Sequence, residues 1–166
     1  MDAFYFDASA LAKKYSDEPG TETVNRIFEI SPRPRLMCLT IGATEIVSIL
    51  VRKRNDGRLS REAFSQSLMN LYGEVIDNPQ FSMITVDDST VIGSIGFIIR
   101  HSINSTDAIV LASALQINEE LQQQGYKLIL VSSDRRLNRA AQGEGLSVFN
   151  PESDDEHTLN LAVSAD

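Results

Sequence analysis

Short apolar runs alternate with longer helix-patterned stretches along this 166-residue chain, and that alternation constrains its fold more than any other feature. AFYF at 3–6, RLMCL at 35–39, FSMITV at 81–86, KLILVS at 127–132 and GLSVF at 145–149 read as five strands. Helical patterns fill the gaps. One runs from about Ser9 to Pro19-Gly20, and the next from Thr21 to Ile30. Another covers about 41–55, with Ala43, Ile46, Val47 and Leu50 on one face and Asp56-Gly57 as its stop. Others cover Ser60 to about Ile76, Asp87 or Asp88 to about Arg100, Thr106 to Gln124 before Gly125, and Arg135 to Gln142. Strands separated by helices predict an α/β domain with a parallel sheet covered on both faces. Residues 1–150 are expected to form it, and the acidic tail at 151–166 is expected to be loose.

The bulk properties narrow the class. A hydrophobic content of 42% supports a packed core and excludes disorder of the whole chain. No apolar run is long enough to cross a bilayer, and MDAFYFDASALAKK lacks the pattern of a secretory signal. Cys38 is the only cysteine, so no internal disulfide forms, and a reduced, cytoplasmic setting is expected. The net charge of −8 opposes non-specific adhesion to nucleic acid. The charge is uneven, however. VRKRNDGRLSR at 51–61 is basic, and PESDDEH at 151–157 is acidic.

Four carboxylates stand where strand-like sequence gives way to helix. They are Asp7, Glu45, Asp107 and Asp134, each with apolar sequence beside it. Charges beside buried surface need partners, and none of the four segments supplies a matching buried cation. Asp7 and Asp134 follow strands directly, at the sheet edge where ligands of open parallel sheets gather. Glu45 and Asp107 fall in or near first helical turns. Four oxygen donors suit a hard cation such as Mg²⁺ or Mn²⁺, which would activate water against a phosphodiester. Read singly, Asp7 and Asp134 are also ordinary helix caps, and Asp107 a favourable first-turn acid after a Ser105 or Thr106 cap.

Ser9, Ser132 and Asn138 lie near these acids and are candidates to bond a ligating carboxylate or a metal-bound water. His101 and His157 lack zinc-ligand spacing. The chain has no Gly-rich phosphate loop and no GxSxG elbow. Asp7 has no second aspartate two residues on, which counts against a phosphatase working through an aspartyl phosphate. Arg52, Lys53, Arg54 and Arg58 follow Glu45 within 10–20 Å or so at helical rise, and are candidates to hold a polyanionic backbone.

FDASALAKKYSDEPGTE, LTIGATEIVSILVRKRNDGRLS, STDAIVLASAL and VSSDRRLNRAA, in that order, resemble the four acidic motifs of the PIN-domain family, in its VapC-like toxin branch. The likeness spans about Phe4 to Phe149. It implies a three-layer α/β/α fold with a parallel sheet of about five strands in the order 3-2-1-4-5. It implies Mg²⁺- or Mn²⁺-dependent cleavage of single-stranded RNA, with Asp7, Glu45, Asp107 and Asp134 as catalytic and metal-binding residues. A small antitoxin partner and a homodimer are common in that branch, and no membrane is involved. The chain departs from the pattern in its extra length around 60–105 and in its tail. It also carries Asp107-Ala108-Ile109-Val110 where a histidine often follows the aspartate. Two other readings stand beside it: a non-catalytic PIN-like module binding RNA or protein, and another metal-dependent phosphohydrolase.

Overall fold

The computed structural model describes residues 2–154 and Leu159. Five strands, β1 (Ala3–Phe6), β2 (Leu36–Leu39), β3 (Ser82–Ile84), β4 (Leu128–Val131) and β5 (Ser147–Phe149), form one sheet in the order β3-β2-β1-β4-β5. Every pairing is parallel, as the intervening helices require. The helices are α1 (Ala8–Leu11), α2 (Thr21–Ile30), α3 (Thr40–Asn55), α4 (Arg61–Leu71), α5 (Asp88–Gly93), α6 (Ile95–His101), α7 (Ser105–Gln122) and α8 (Arg135–Gly143). This is the three-layer α/β/α arrangement in the order the resemblance implied.

Alternation along the strands builds two cores. Phe4, Phe6, Leu36, Cys38, Ile129 and Val131 point to one face, beneath α1 to α4. Ala3, Tyr5, Met37, Leu39, Leu128 and Leu130 point to the other, beneath α7 and α8. A strand buried on both faces must be apolar throughout, and β1, β2 and β4 are. Burial pushes the Cys38 thiol up to about 12, so it is an inert packing residue.

Several helices differ from their sequence patterns. The first keeps one α-helical turn and tightens to a 3₁₀ turn over Ala12–Tyr15. There Thr21 Oγ1 donates toward the Lys13 and Ser16 carbonyls, at 2.8 and 3.0 Å, and bends the chain early. The stretch after Ser60 ends in a wider π turn over Tyr72–Ile76. The stretch toward Arg100 breaks at Ser94, whose Oγ bonds the Val91 carbonyl between two glycines. Asn104 caps α7, rather than Ser105 or Thr106. Among the described residues no helix is long and apolar enough to cross a membrane.

Where the tail is described, it contacts the domain. Glu152 pairs with the buried Lys13 at 2.5 Å, and Asp154 accepts from the Asn150 backbone at 2.7 Å. Leu159 is wholly buried. The rest of the expected loose tail, including His157, lies outside the described residues. Gly20 permits this docking: its φ is +91°, and a Cβ there would stand 2.9 Å from the Pro151 carbonyl oxygen. Gly57 has a similar φ of +80° but open space around it. Gly57→Ala is therefore expected to cost about 1–2 kcal/mol, the left-handed penalty alone. Gly20→Ala should cost measurably more in urea denaturation, and equal costs would show that residues 150–154 do not pack here.

Candidate active site

The sheet register places the first acid. Phe6 pairs with Val131, and the Asp7 amide donates to the Val131 carbonyl at 3.0 Å, so Asp7 and Ser132 leave the sheet side by side. Asp7 then caps α1. Its Oδ2 accepts from the Ser9 amide at 3.1 Å, the Ser9 hydroxyl at 2.6 Å and the Ser132 hydroxyl at 3.3 Å. Both serines have a second duty. Ser9 Oγ accepts from the Ser133 amide, and Ser132 Oγ from the Asp134 amide. The carboxylate is buried, and burial raises its proton affinity while the Ser9 and Ser132 hydrogen bonds oppose that rise.

The other three acids arrive from separate elements. Glu45 lies in the second turn of α3, later than its sequence pattern suggested. Burial raises its pKa and the Asp7 charge adds to this, against a hydrogen bond with Thr106 and the charge of Arg52. Asp107 occupies the first turn of α7, locked reciprocally to the cap. The Asp107 amide donates to Asn104 Oδ1, and Asn104 Nδ2 donates to Asp107 Oδ2, both at 2.8 Å. Its pKa is pushed up to about 7, first by burial, then by the charges of Asp7 and Asp134. Asp134 caps α8, accepting from the Arg136 and Leu137 amides at 2.7 and 3.1 Å.

All four line one cleft of about 310 Å³, together with Ala8, Ser9, Ser48, Ile49 and Arg52. Four carboxylates are hard oxygen donors suited to a divalent cation. Their spacing is open, however. Among the described residues, no three histidine, cysteine or carboxylate side chains form a group that could hold a metal ion as they stand. The donor chemistry fits a cation that keeps much of its water, as Mg²⁺ does, and does not fit a closed protein cage.

The remaining candidates divide. Ser9 and Ser132 touch Asp7 as their positions suggested. The Asn138 side chain bonds no carboxylate: its Nδ2 donates to the Ser132 carbonyl at 2.8 Å and braces the β4–α8 turn. Of the basic run, Arg52 alone reaches the cleft. Lys53 lies away from the cleft. It is buried, and it bonds Glu18 at 2.5 Å and Ser16 at 2.7 Å, because its place in the helix faces the core rather than solvent. Arg54 lies over the Phe64 ring, and Arg58 pairs with Asp56. The buried cation Lys13 does lie within the first motif, but it serves Glu152, not Asp7. Asn104, Thr106, Ser48 and Ile49 were missed. The last two were legible as i+3 and i+4 from Glu45.

The family model described as PIN domain matches residues 4–143. A search of the curated proteins found no match. Solved structures share the fold at low identity. PAE2754 from Pyrobaculum aerophilum aligns with a TM-score of 0.63 and 19% identity, over 99% of this chain and 97% of its own. FitAcB from Neisseria gonorrhoeae aligns with a TM-score of 0.59 and 16% identity, over 90% of this chain and 99% of its own. VapC20 from Mycobacterium tuberculosis, a sarcin-ricin loop cleaving toxin, aligns with a TM-score of 0.59 and 15% identity, over 83% and 95%.

A carboxyl raised to about 7 in the native state binds more protons there than in the unfolded chain. Asp107 therefore takes stability away as pH rises from the unfolded carboxylate range, near 4, through about 7. Asp107→Asn keeps the side chain's size and its ability to accept from Asn104. Without metal, the variant should melt higher than wild type at pH 8, with the difference vanishing toward pH 3.5 or so. Equal melting temperatures at pH 8 would show that the acids do not repel one another in one cleft.

Proposed function

The chain belongs to the PIN domain family, whose members are typically nucleases, and we propose that it is a metal-dependent endoribonuclease cleaving single-stranded RNA, acting as the toxin of a toxin–antitoxin pair. One observation carries the reading: Asp7, Glu45, Asp107 and Asp134, from four separate chain segments, line the same cleft at the carboxyl edge of β1 and β4. Carboxylates that raise one another's pKa cost stability, and a cation bound between them offsets that cost.

Those four residues would hold Mg²⁺ or Mn²⁺, mainly with water completing the shell. When bound, such an ion would polarise a phosphoryl oxygen of the substrate and lower the pKa of a water molecule. The chain's own work is positional. Ser9 and Ser132 hold Asp7 in one orientation, and Asn104 does the same for Asp107. Carboxyls must be deprotonated to bind a metal, so affinity should rise as pH passes through the Asp107 value of about 7. A non-catalytic module draws support from the open spacing of the acids. Mutual repulsion with no metal to relieve it counts against that reading.

The proposed partners are single-stranded RNA, a small antitoxin and a second copy of the chain, in the cytoplasm. The pairing surface we assign to the second copy is α5–α6, which turns Thr90, Ser94, Phe97 and Ile98 inward and an aliphatic ridge outward. Ile92, Ile95 and Ile99 are 66%, 47% and 78% exposed. Gly93 and Gly96 leave open space beside them for a close approach. Asp88 begins this ridge, and Arg100, held by Glu144 at 2.6 Å, ends it.

Purified protein with Mg²⁺ or Mn²⁺ should cut single-stranded RNA, and Asp7→Asn should lower the rate at least ~100-fold without unfolding. Wild-type cleavage by Asp7→Asn would remove Asp7 from the site. Light scattering should find a dimer in wild type and a monomer in Ile95→Asp, and a wild-type monomer would free the α5–α6 ridge for another partner.

A further inference from the structure

One stripe of α3 faces the cleft. Glu45, Ser48, Ile49 and Arg52 stand at i, i+3, i+4 and i+7, and all four line it. The chemistry changes along the stripe, from an anion near Asp7, through a hydroxyl and an aliphatic side chain, to a cation. Ser48 donates its proton to the Thr44 carbonyl at 3.1 Å, which ties it to the helix. Ile49 is half-buried and packs against the core beneath α3, which makes it a fixed apolar platform.

Among the described residues, Arg52 is the only cation lining this cleft. It is exposed, and among the described residues it stands in no salt bridge, although Glu45 feels its charge. The neighbouring cations are committed elsewhere: Lys53 to Glu18, Arg58 to Asp56, and Arg54 to the Phe64 ring and Asn55. A cleft of four carboxylates repels a polyanion, so a strand entering it needs a cation at the rim. Seven residues separate Glu45 from Arg52, about 10 Å along the axis. At that distance the guanidinium is placed for a phosphate beyond the one lying against the acids, and its planar fork suits phosphate oxygens.

We propose that this stripe is the subsite for the nucleotide next to the scissile phosphate, with Arg52 binding that nucleotide's phosphate and Ile49 supporting its sugar or base. The inference rests on the ribonuclease reading and sharpens it, by reducing the basic run to one contact. Glu45 balances the same cation in the free protein, so the charge on Arg52 serves both states.

Binding of a fluorescein-labelled single-stranded RNA, followed by anisotropy across a salt series in the non-cleaving Asp7→Asn background, tests it. Losing one phosphate contact on a single strand lowers the slope of log affinity against log salt by about 0.7. Arg52→Gln should show that loss, Arg52→Lys should restore the slope, and Arg54→Gln should leave it unchanged. In the cleaving protein, Arg52→Gln should raise KM with kcat held within a few-fold. If the Arg52→Gln slope matches its parent while the parent binds RNA, Arg52 only balances Glu45 and the subsite is wrong. If the parent does not bind RNA and wild type does not cut it, the ribonuclease reading falls first and takes the subsite with it.

Discussion

A carboxylate taken out of water at the end of the central strand is the constraint on which this molecule turns. Asp7 has little access to solvent, so its charge depends on what the protein places around it. The parallel register of β1 and β4 brings Ser132 beside it, and the one-turn helix after it presents Ser9. Each serine that holds Asp7 also accepts a backbone amide of the Ser133–Asp134 turn. The position of Asp7 and the position of Asp134 are thus parts of one hydrogen-bonded unit, further braced by Asn138. A change at either serine would disturb two acids at once.

The local charge balance follows from that unit. Glu45 and Asp107 are each pushed toward their protonated forms, first by burial and next by the charge of Asp7. A metal ion or a proton relieves the same repulsion, so metal affinity and pH are linked. The cations close to the site in sequence do not neutralise it. Lys13 and Lys53 are buried one layer away, on Glu152 and Glu18, where they join the tail, the first turn and α3. Four carboxylates thus face the cleft where an ion would sit, and Arg52 is left as the cation at its rim.

The strands and the long helices were legible because burial on two faces leaves little choice of residue. AFYF, LMCL and LILV are apolar throughout, and α2 begins and ends where its pattern does. The four acids were legible because a charge beside such runs needs an explanation. What escaped the pattern depends on partners distant in the chain. Nothing near Lys53 in sequence announces Glu18 and Ser16, thirty-five and thirty-seven residues away. Nothing in PESDDEH announces that Glu152 closes onto Lys13. Asn104 was within reach, since asparagine is among the strongest caps, but the serine and threonine after it compete on composition.

Direct observation of metal binding tests the shared acidic cleft most closely. Mn²⁺ is paramagnetic and broadens the amide NMR signals of residues near it. Titration of the metal-free protein should broaden Asp7, Ser9, Glu45, Asp107 and Asp134 together, well before the acidic residues 152–154. Broadening confined to 152–154, or no selective broadening at all, would contradict the account.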